Sequence, residues 1–469
     1  MTIFRILTLG AVAMLASIMV ATPAYAFCGF FVSKAGSDLF NEASKVVISR
    51  ADNRTVITMA NDFQGDAKEF AIVVPVPTIL QEGQVNVTEG RIIDHLDAYT
   101  APRLVEYFDG NPCQMNRRME VMSMMSGPQT ESADSMQKKS GKALGVTIEA
   151  EYSVGEYDIK ILSAKQSDGL LTWLNQEEYK LPKGAERILG SYIKQDMKFF
   201  IAKVNLEAQE KLGYSMLRPL QVAYEHEKFM LPIRLGTLNA NGPQDIIVYA
   251  LSRKGRVETA NYRTVKIPSN VDVPLYVKDD FAEFYKAMFR EQAEKEGLKS
   301  VFLEYAWDMG WCDPCAADPL PNADLKKLGV WWLDDHEGEK TTLPIRPQPR
   351  RMIAPPRGGP QDVFVTRLHA RYTAETFPED LMLHETADRE NFQGRYVLRH
   401  PFKGEASCAA GRDYFANLPT RFEKEAQTLA NLTGWNVSEI RSEMSGNGQS
   451  FSGTDDGQPR PWWEKMWNK

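Results

Sequence analysis

Internal repeats, long runs of like charge and the common catalytic signatures are all missing from this 469-residue chain. No G-x-x-x-x-G-K-[ST] is present to cradle phosphates, and no G-x-G-x-x-G opens a dinucleotide fold. H-E-x-x-H and G-x-S-x-G are absent too, so neither a zinc protease helix nor a hydrolase elbow is encoded. Histidine is scarce, with six residues: His95, His226, His336, His369, His384 and His400. The formal charge is -7, from 55 Lys+Arg against 62 Asp+Glu, with no basic patch to bind nucleic acid. Beyond Val20 no stretch is long and apolar enough to cross a membrane. What remains is 43% hydrophobic and 25% charged, the composition of a globular chain long enough for two or three domains.

The first 26 residues read as a signal peptide. Arg5 gives a positive start, Ile6 to Val20 is almost wholly apolar, and Ala24-Tyr25-Ala26 offers the small residues a signal peptidase needs. Cleavage is expected after Ala26. Phe27 before Cys28 is too large for lipoprotein processing. The mature chain then carries 54 basic against 62 acidic residues, a charge of -8, and is expected to be soluble in the periplasm or outside the cell.

Such a compartment is oxidising, which makes the cysteines candidates for disulfides. They are Cys28, Cys113, Cys312, Cys315 and Cys408, an odd number that leaves at least one thiol over. Spacing does not fix the pairing; Cys28 with Cys113 is preferred because both flank the first β-rich module.

The pattern predicts an α+β protein, with β-rich antiparallel sheets, short helical insertions and a helical C-terminal segment. Residues 27–113 form a β-rich module, with strands at Lys45–Ser49, Thr55–Met59 and Glu69–Pro77, then a partly helical stretch over Arg91–Tyr107 broken at Pro102. A flexible Met- and Ser-rich loop occupies 114–143. A second β-rich module covers 144–278, with a short helix at Ser167–Asn175 and strands including Lys198–Val204, Lys228–Leu235 and Asp245–Leu251. Residues 279–333 hold a helix from Asp279 or Asp280 to about Glu296, lined by Phe281, Phe284, Tyr285, Met288, Phe289 and Ala293, and an apolar strand, Val301–Trp307. A Pro-rich linker spans 334–361 and an α+β segment 362–441, in which Thr420-Arg421-Phe422-Glu423 reads as a capping box opening a helix. Phe422, Ala426, Leu429 and Thr433 share that helix's inner face. A polar tail, 442–469, ends in Trp462, Trp463 and Trp467 and is expected to dock on the protein or a partner.

Several segments together resemble a bacterial family known as domain of unknown function 2330. They are Phe27-Cys28-Gly29-Phe30-Phe31-Val32, Val74-Pro75-Val76-Pro77, Leu96 to Val105, Trp311-Cys312-Asp313-Pro314-Cys315 and Asn391 to Pro401. The resemblance implies a secreted or envelope protein and brings no established activity, cofactor or catalytic residue.

Three readings of function compete. The leading one is a non-catalytic binding or assembly module with structural disulfides, no cofactor, and an unidentified envelope protein or ligand as partner. The second is a thiol–disulfide oxidoreductase, because Trp311-Cys312-Asp313-Pro314-Cys315 is similar to a thioredoxin motif. Cys312 would attack as a thiolate at a helix N-terminus and Cys315 would resolve the mixed disulfide. Against it, Asp313 would raise the thiol's pKa, and Pro319 and Pro321 interrupt the helix the chemistry needs. The third is Cu(I) binding by the soft thioethers of Met119, Met122, Met124 and Met125, flanked by Met115 and Met136. The acidic stretch around His336 reads as a solvated turn. Trp331-Trp332 is expected to pack against the protein body.

Overall fold

A computed structural model describes residues 30–33, 44–61, 70–114, 147–164, 167–177, 179, 184–205, 217–240, 242–311, 313, 317–336 and 362–451. The signal peptide, Cys28, Cys312, Cys315, all but Gln114 of the Met-rich loop, all but three residues of the Pro-rich linker, and the tail tryptophans therefore lie outside the described residues.

Along the chain come β1 (Phe30–Ser33), β2 (Ser44–Ala51), β3 (Arg54–Asn61), β4 (Phe70–Val76), β5 (Val85–Val87), α1 (Gly90–Thr100) and β6 (Arg103–Phe108). Next are β7 (Thr147–Val154), β8 (Tyr157–Ser163), α2 (Ser167–Gln176), α3 (Ala185–Lys194), β9 (Lys198–Val204), β10 (Leu220–Glu225) and β11 (Met230–Leu231). Then follow β12 (Gln244–Ser252), β13 (Val257–Thr259), β14 (Arg263–Lys266), β15 (Val271–Val273), α4 (Phe281–Lys295), β16 (Ser300–Asp308) and α5 (Asn322–Lys327). The last are β17 (Phe364–Tyr372), β18 (Leu381–Glu385), β19 (Phe392–Gln393), β20 (Arg395–His400), α6 (Ala409–Thr433) and α7 (Val437–Gly446).

Two large sheets face each other. One has the order β1-β4-β9-β8-β7; the other runs β14-β16-β17-β12-β2-β3-β10-β5, with β19 beside β16. Alternation along the strands shows how the layers form. Ile72, Val74 and Val76 of β4 enter the core between the sheets, with Val46, Ile48 and Val248 opposite. Ala71 and Val73 point the other way, into a core capped by α2 and α3. The outer face of the larger sheet is likewise covered, by α1 and α5 over one half and by α4, α6 and α7 over the other. Strands buried on both faces read as continuous apolar runs, which is why Glu69–Pro77 carries no polar alternation. Among the described residues β1 pairs β4 from Phe70 to Val73, so no described strand pairs with Pro75 on that side.

The α+β class holds, but the sheets are mixed. β2 pairs β12 in parallel, as do β14 with β16, β15 with β20 and β20 with β6. These partners are far apart in sequence, so no tight turn forces them antiparallel. The larger sheet takes strands from four of the segments delimited in the sequence.

Several local expectations are corrected. Lys228–Leu235 supplies only the two-residue β11, because Pro232 follows and the chain turns into a short 3-10 helix at Gly236–Asn239. α3 carried no sequence expectation; it buries Ala185, Ile188, Leu189 and Tyr192 on one face. The C-terminal helix begins at Ala409, not near Thr420. Cys408 caps it, its sulfur accepting from Gly411 N–H, and Pro419 is absorbed inside. The inner face is as expected, with Phe422, Ala426, Leu429 and Thr433 buried. The polar tail starts after α7, since Asn436 caps that helix through the N–H groups of Ser438 and Glu439, and Ile440 and Met444 are buried. Cys113 bonds Cys408, 295 positions away, which overturns the Cys28–Cys113 pairing. Trp332 is fully buried and donates its Nε1–H to the Asp362 carbonyl, as the packing expectation held.

On α6, Glu425 is 2% exposed, accepts from Gln449 Nε2 at 2.8 Å, and lies 3.5 Å from Arg421 Nε. Burial pushes its carboxyl up to about 7, although Arg421 and the Gln449 hydrogen bond oppose the shift. The folded state thus holds this proton more tightly than the unfolded chain, whose carboxyl titrates near 4.5. The group therefore destabilises the fold increasingly as pH rises from about 4.5 to about 7. Glu425→Gln is expected to raise stability by roughly 1–3 kcal/mol at pH 8 and to do little at pH 4, read by urea denaturation at both values.

Candidate functional site

A band of charged side chains lies on the outer face of the larger sheet, between its two helix-covered halves. Its centre is Glu304. The β16–β17 register shifts between Leu303 and Tyr305, so β16 bulges at Glu304. A bulge re-aims one side chain and breaks the strict alternation. Glu304 is completely buried. Its Oε1 accepts from the Tyr285 hydroxyl and from His369 Nδ1 at 2.6 Å, and its Oε2 from Arg367 Nε at 2.6 Å. An ionised carboxylate only accepts, so Nδ1 of His369 carries the proton.

Each partner is placed by its own element. Arg367, His369 and Arg371 are alternate residues of β17 and share one face. α1 buries Ile92, Ile93, Leu96, Tyr99 and Thr100 against the protein, which sets Asp97 at the edge of that face. Arg367 Nη1 donates to Asp97 Oδ1 at 2.5 Å; Tyr249 and Lys45 donate to the same carboxylate at 2.7 and 2.8 Å. Arg371 grips Asp245 with two hydrogen bonds. Phe289 of α4 stacks flat on the His369 ring, centroids 3.6 Å apart. Among the described residues Nε2 of His369 has no hydrogen-bond partner, and it stands 3.8 Å from Asp245 Oδ1.

Three cations, Lys45, Arg367 and Arg371, thus balance three carboxylates, Asp97, Asp245 and Glu304. Burial alone would raise the Glu304 carboxyl, but His369 and Arg367 outweigh it and hold it at about 2. Burial also opposes ionisation of Asp97, where Arg367 and Lys45 win and hold it at about 2. Desolvation and the neighbouring carboxylates push Tyr249 and Tyr285 well above the usual phenol range. The Glu304–His369 pair has the shape of a base dyad, and among the described residues Tyr285 and Arg367 complete the partners of Glu304. Among the described residues no group of three His, Cys, Asp or Glu could hold a metal ion.

The sequence-level candidates are scattered around this band. Asp313, between Cys312 and Cys315, accepts from Tyr305 OH at 3.0 Å and Gln393 Nε2 at 2.8 Å, beside the bulge. Residues 317–321 are not helical, and the next helix, α5, begins at Asn322. Trp311 is 69% exposed. Of the histidines, His400 bonds Glu106 and stacks on Phe108, His95 bonds the Asp318 carbonyl, and His226 accepts from Lys228 N–H. His369, His384 and His400 sit in three different sheets, and Asp388 pairs with Arg256 rather than with any of them. Side chains of Met119, Met122, Met124, Met125, Cys312 and Cys315 lie outside the described residues.

The molecule is thus an α+β sandwich clasped by a disulfide and tied across one sheet by a largely buried ionic band, with no helix among the described residues able to cross a membrane. A family model described as "Uncharacterized protein conserved in bacteria (DUF2330)" matches residues 22–384, and the chain belongs to that family. The matched stretch contains Asp97, Glu304, Arg367, His369 and the Trp311–Cys315 motif, and stops before Asn391–Pro401. No curated protein and no solved structure matches.

Proposed function

We propose that the chain is a secreted or periplasmic binding or assembly module, non-catalytic, whose Cys113–Cys408 disulfide is structural. The disulfide carries this reading: it joins the loop after β6 to the cap of α6 across 295 positions, and such bonds persist in oxidising compartments. The ionic band supports it, since its acid–base groups are spent on each other across α1, α4, β12, β16 and β17. Trp311-Cys312-Asp313-Pro314-Cys315 serves in this reading as a structural loop pinned through Asp313 to Tyr305 and Gln393. Cell fractionation with N-terminal sequencing tests it. The chain is expected in the osmotic-shock fraction or the medium, starting at Phe27, and inactive in insulin reduction. An intact N-terminus in the cytoplasm, or turnover of insulin lost in Cys312→Ser, would overturn it.

A further inference from the structure

A cleft large enough for a small ligand lies along α3, away from the ionic band. It is an open groove of about 770 Å³, within the roughly 300–1,000 Å³ usual for ligand sites. Arg187, Lys194 and Arg234 line it, with Ser191 and Glu186. Three cations and one carboxylate line the groove, with the buried carboxyl of Asp380 behind Arg234. Among the described residues no acidic side chain forms an ion pair with any of the three, whereas most other arginines on the fold are paired.

Arg234 is also held from beneath. Buried Asp380 accepts from the backbone N–H of Ile233 at 2.9 Å and of Arg234 at 3.2 Å, and from the Tyr192 hydroxyl at 2.7 Å. The Tyr192 ring lies 5.8 Å from the Arg234 guanidinium, whose Nη1 donates to Ser191 Oγ at 2.8 Å. One guanidinium is thereby fixed at the cleft wall, while Arg187 and Lys194 are exposed on the same lining. Two planar guanidinium forks and an ammonium on one lining suit a tetrahedral dianion.

We propose that this cleft binds a ligand bearing a phosphomonoester group, with Arg234 as the fixed anchor. The proposal deepens the binding reading by naming a ligand class; it is scored on purified protein, whereas that reading is scored on compartment, so the two fail separately. Calorimetric titration of the mature chain with glucose 6-phosphate, and sedimentation with phosphatidylcholine vesicles with and without phosphatidic acid, supply the soluble and lipid arms. Saturable binding in either arm is expected, weakened about tenfold or more by Arg234→Gln and by the exposed double variant Arg187→Gln/Lys194→Gln. The control Arg54→Gln should bind as the parent does. The arm that responds identifies the source of the phosphate. Absence of saturable binding in both arms, or variants that bind as tightly as the parent while keeping its circular dichroism, would overturn the proposal.

Discussion

Replacing Cys113 and Cys408 together by serine is expected to lower the stability of the mature chain by roughly 3–5 kcal/mol. The bond closes a loop of 295 positions, and the chain-entropy model gives about 5–6 kcal/mol for that length. Serine hydroxyls and residual order in the unfolded chain reduce that figure. Dithiothreitol should reproduce the loss in the parent and change nothing further in the variant. A second local effect accompanies it. Cys408 caps α6, so the first turn of that helix should lose amide-exchange protection first. A double variant as stable as the parent would show that α6 docks without the clasp.

Glu304→Gln is expected to cost a further 3–5 kcal/mol or so in an otherwise intact chain. Removing one member of a buried pair strips the other of part of its compensation, and Arg367 would keep only the Asp97 carboxylate. Here the charge left is Arg367, 7% exposed, and His369 loses its carboxylate partner as well. Arg367→Met should cost a similar amount, because Glu304 would keep only His369 and Tyr285, and Asp97 only Lys45 and Tyr249. The double variant Glu304→Gln/Arg367→Met should lose well under the sum, because the two changes remove one shared interaction. Urea denaturation of the four proteins measures that coupling. Simple additivity would contradict a linked pair.

The same band predicts acid sensitivity. Glu304 and Asp97 are both held at about 2, below their unfolded values. Their contribution is fully present above about pH 4.5 and fades as pH falls toward 2. Acid unfolding should therefore begin below pH 4.5 and be blunted in Glu304→Gln.

Much of the fold was legible because local patterns carried it. The doubly buried β4, the amphipathic α4 and the inner face of α6 each left a periodicity that tertiary packing then used. The parallel pairings left none, since strand partners such as β2 and β12 are separated by more than half the sheet's chain length. Nor did the disulfide, whose halves meet only after β6 and α6 are placed. The ionic band was half visible. Glu304 is a lone acid within the apolar run Val301–Trp307, and Arg367, His369 and Arg371 alternate along β17, both odd for a core strand. The bulge that turns Glu304 toward them has no local signature, and Asp97 lies 270 positions from Arg367. Helix starts misled where an anchor outside the local pattern set them: α6 begins at the disulfide, eleven residues ahead of the Thr420 capping box.

Peptide mapping by mass spectrometry of unreduced protein, alkylated as it leaves the cell envelope, tests the central claim most directly. The account predicts a cross-linked pair of peptides containing Cys113 and Cys408, at full occupancy, that separates on reduction. Free, alkylated thiols at both positions, or either one bonded to Cys28, Cys312 or Cys315, would contradict it.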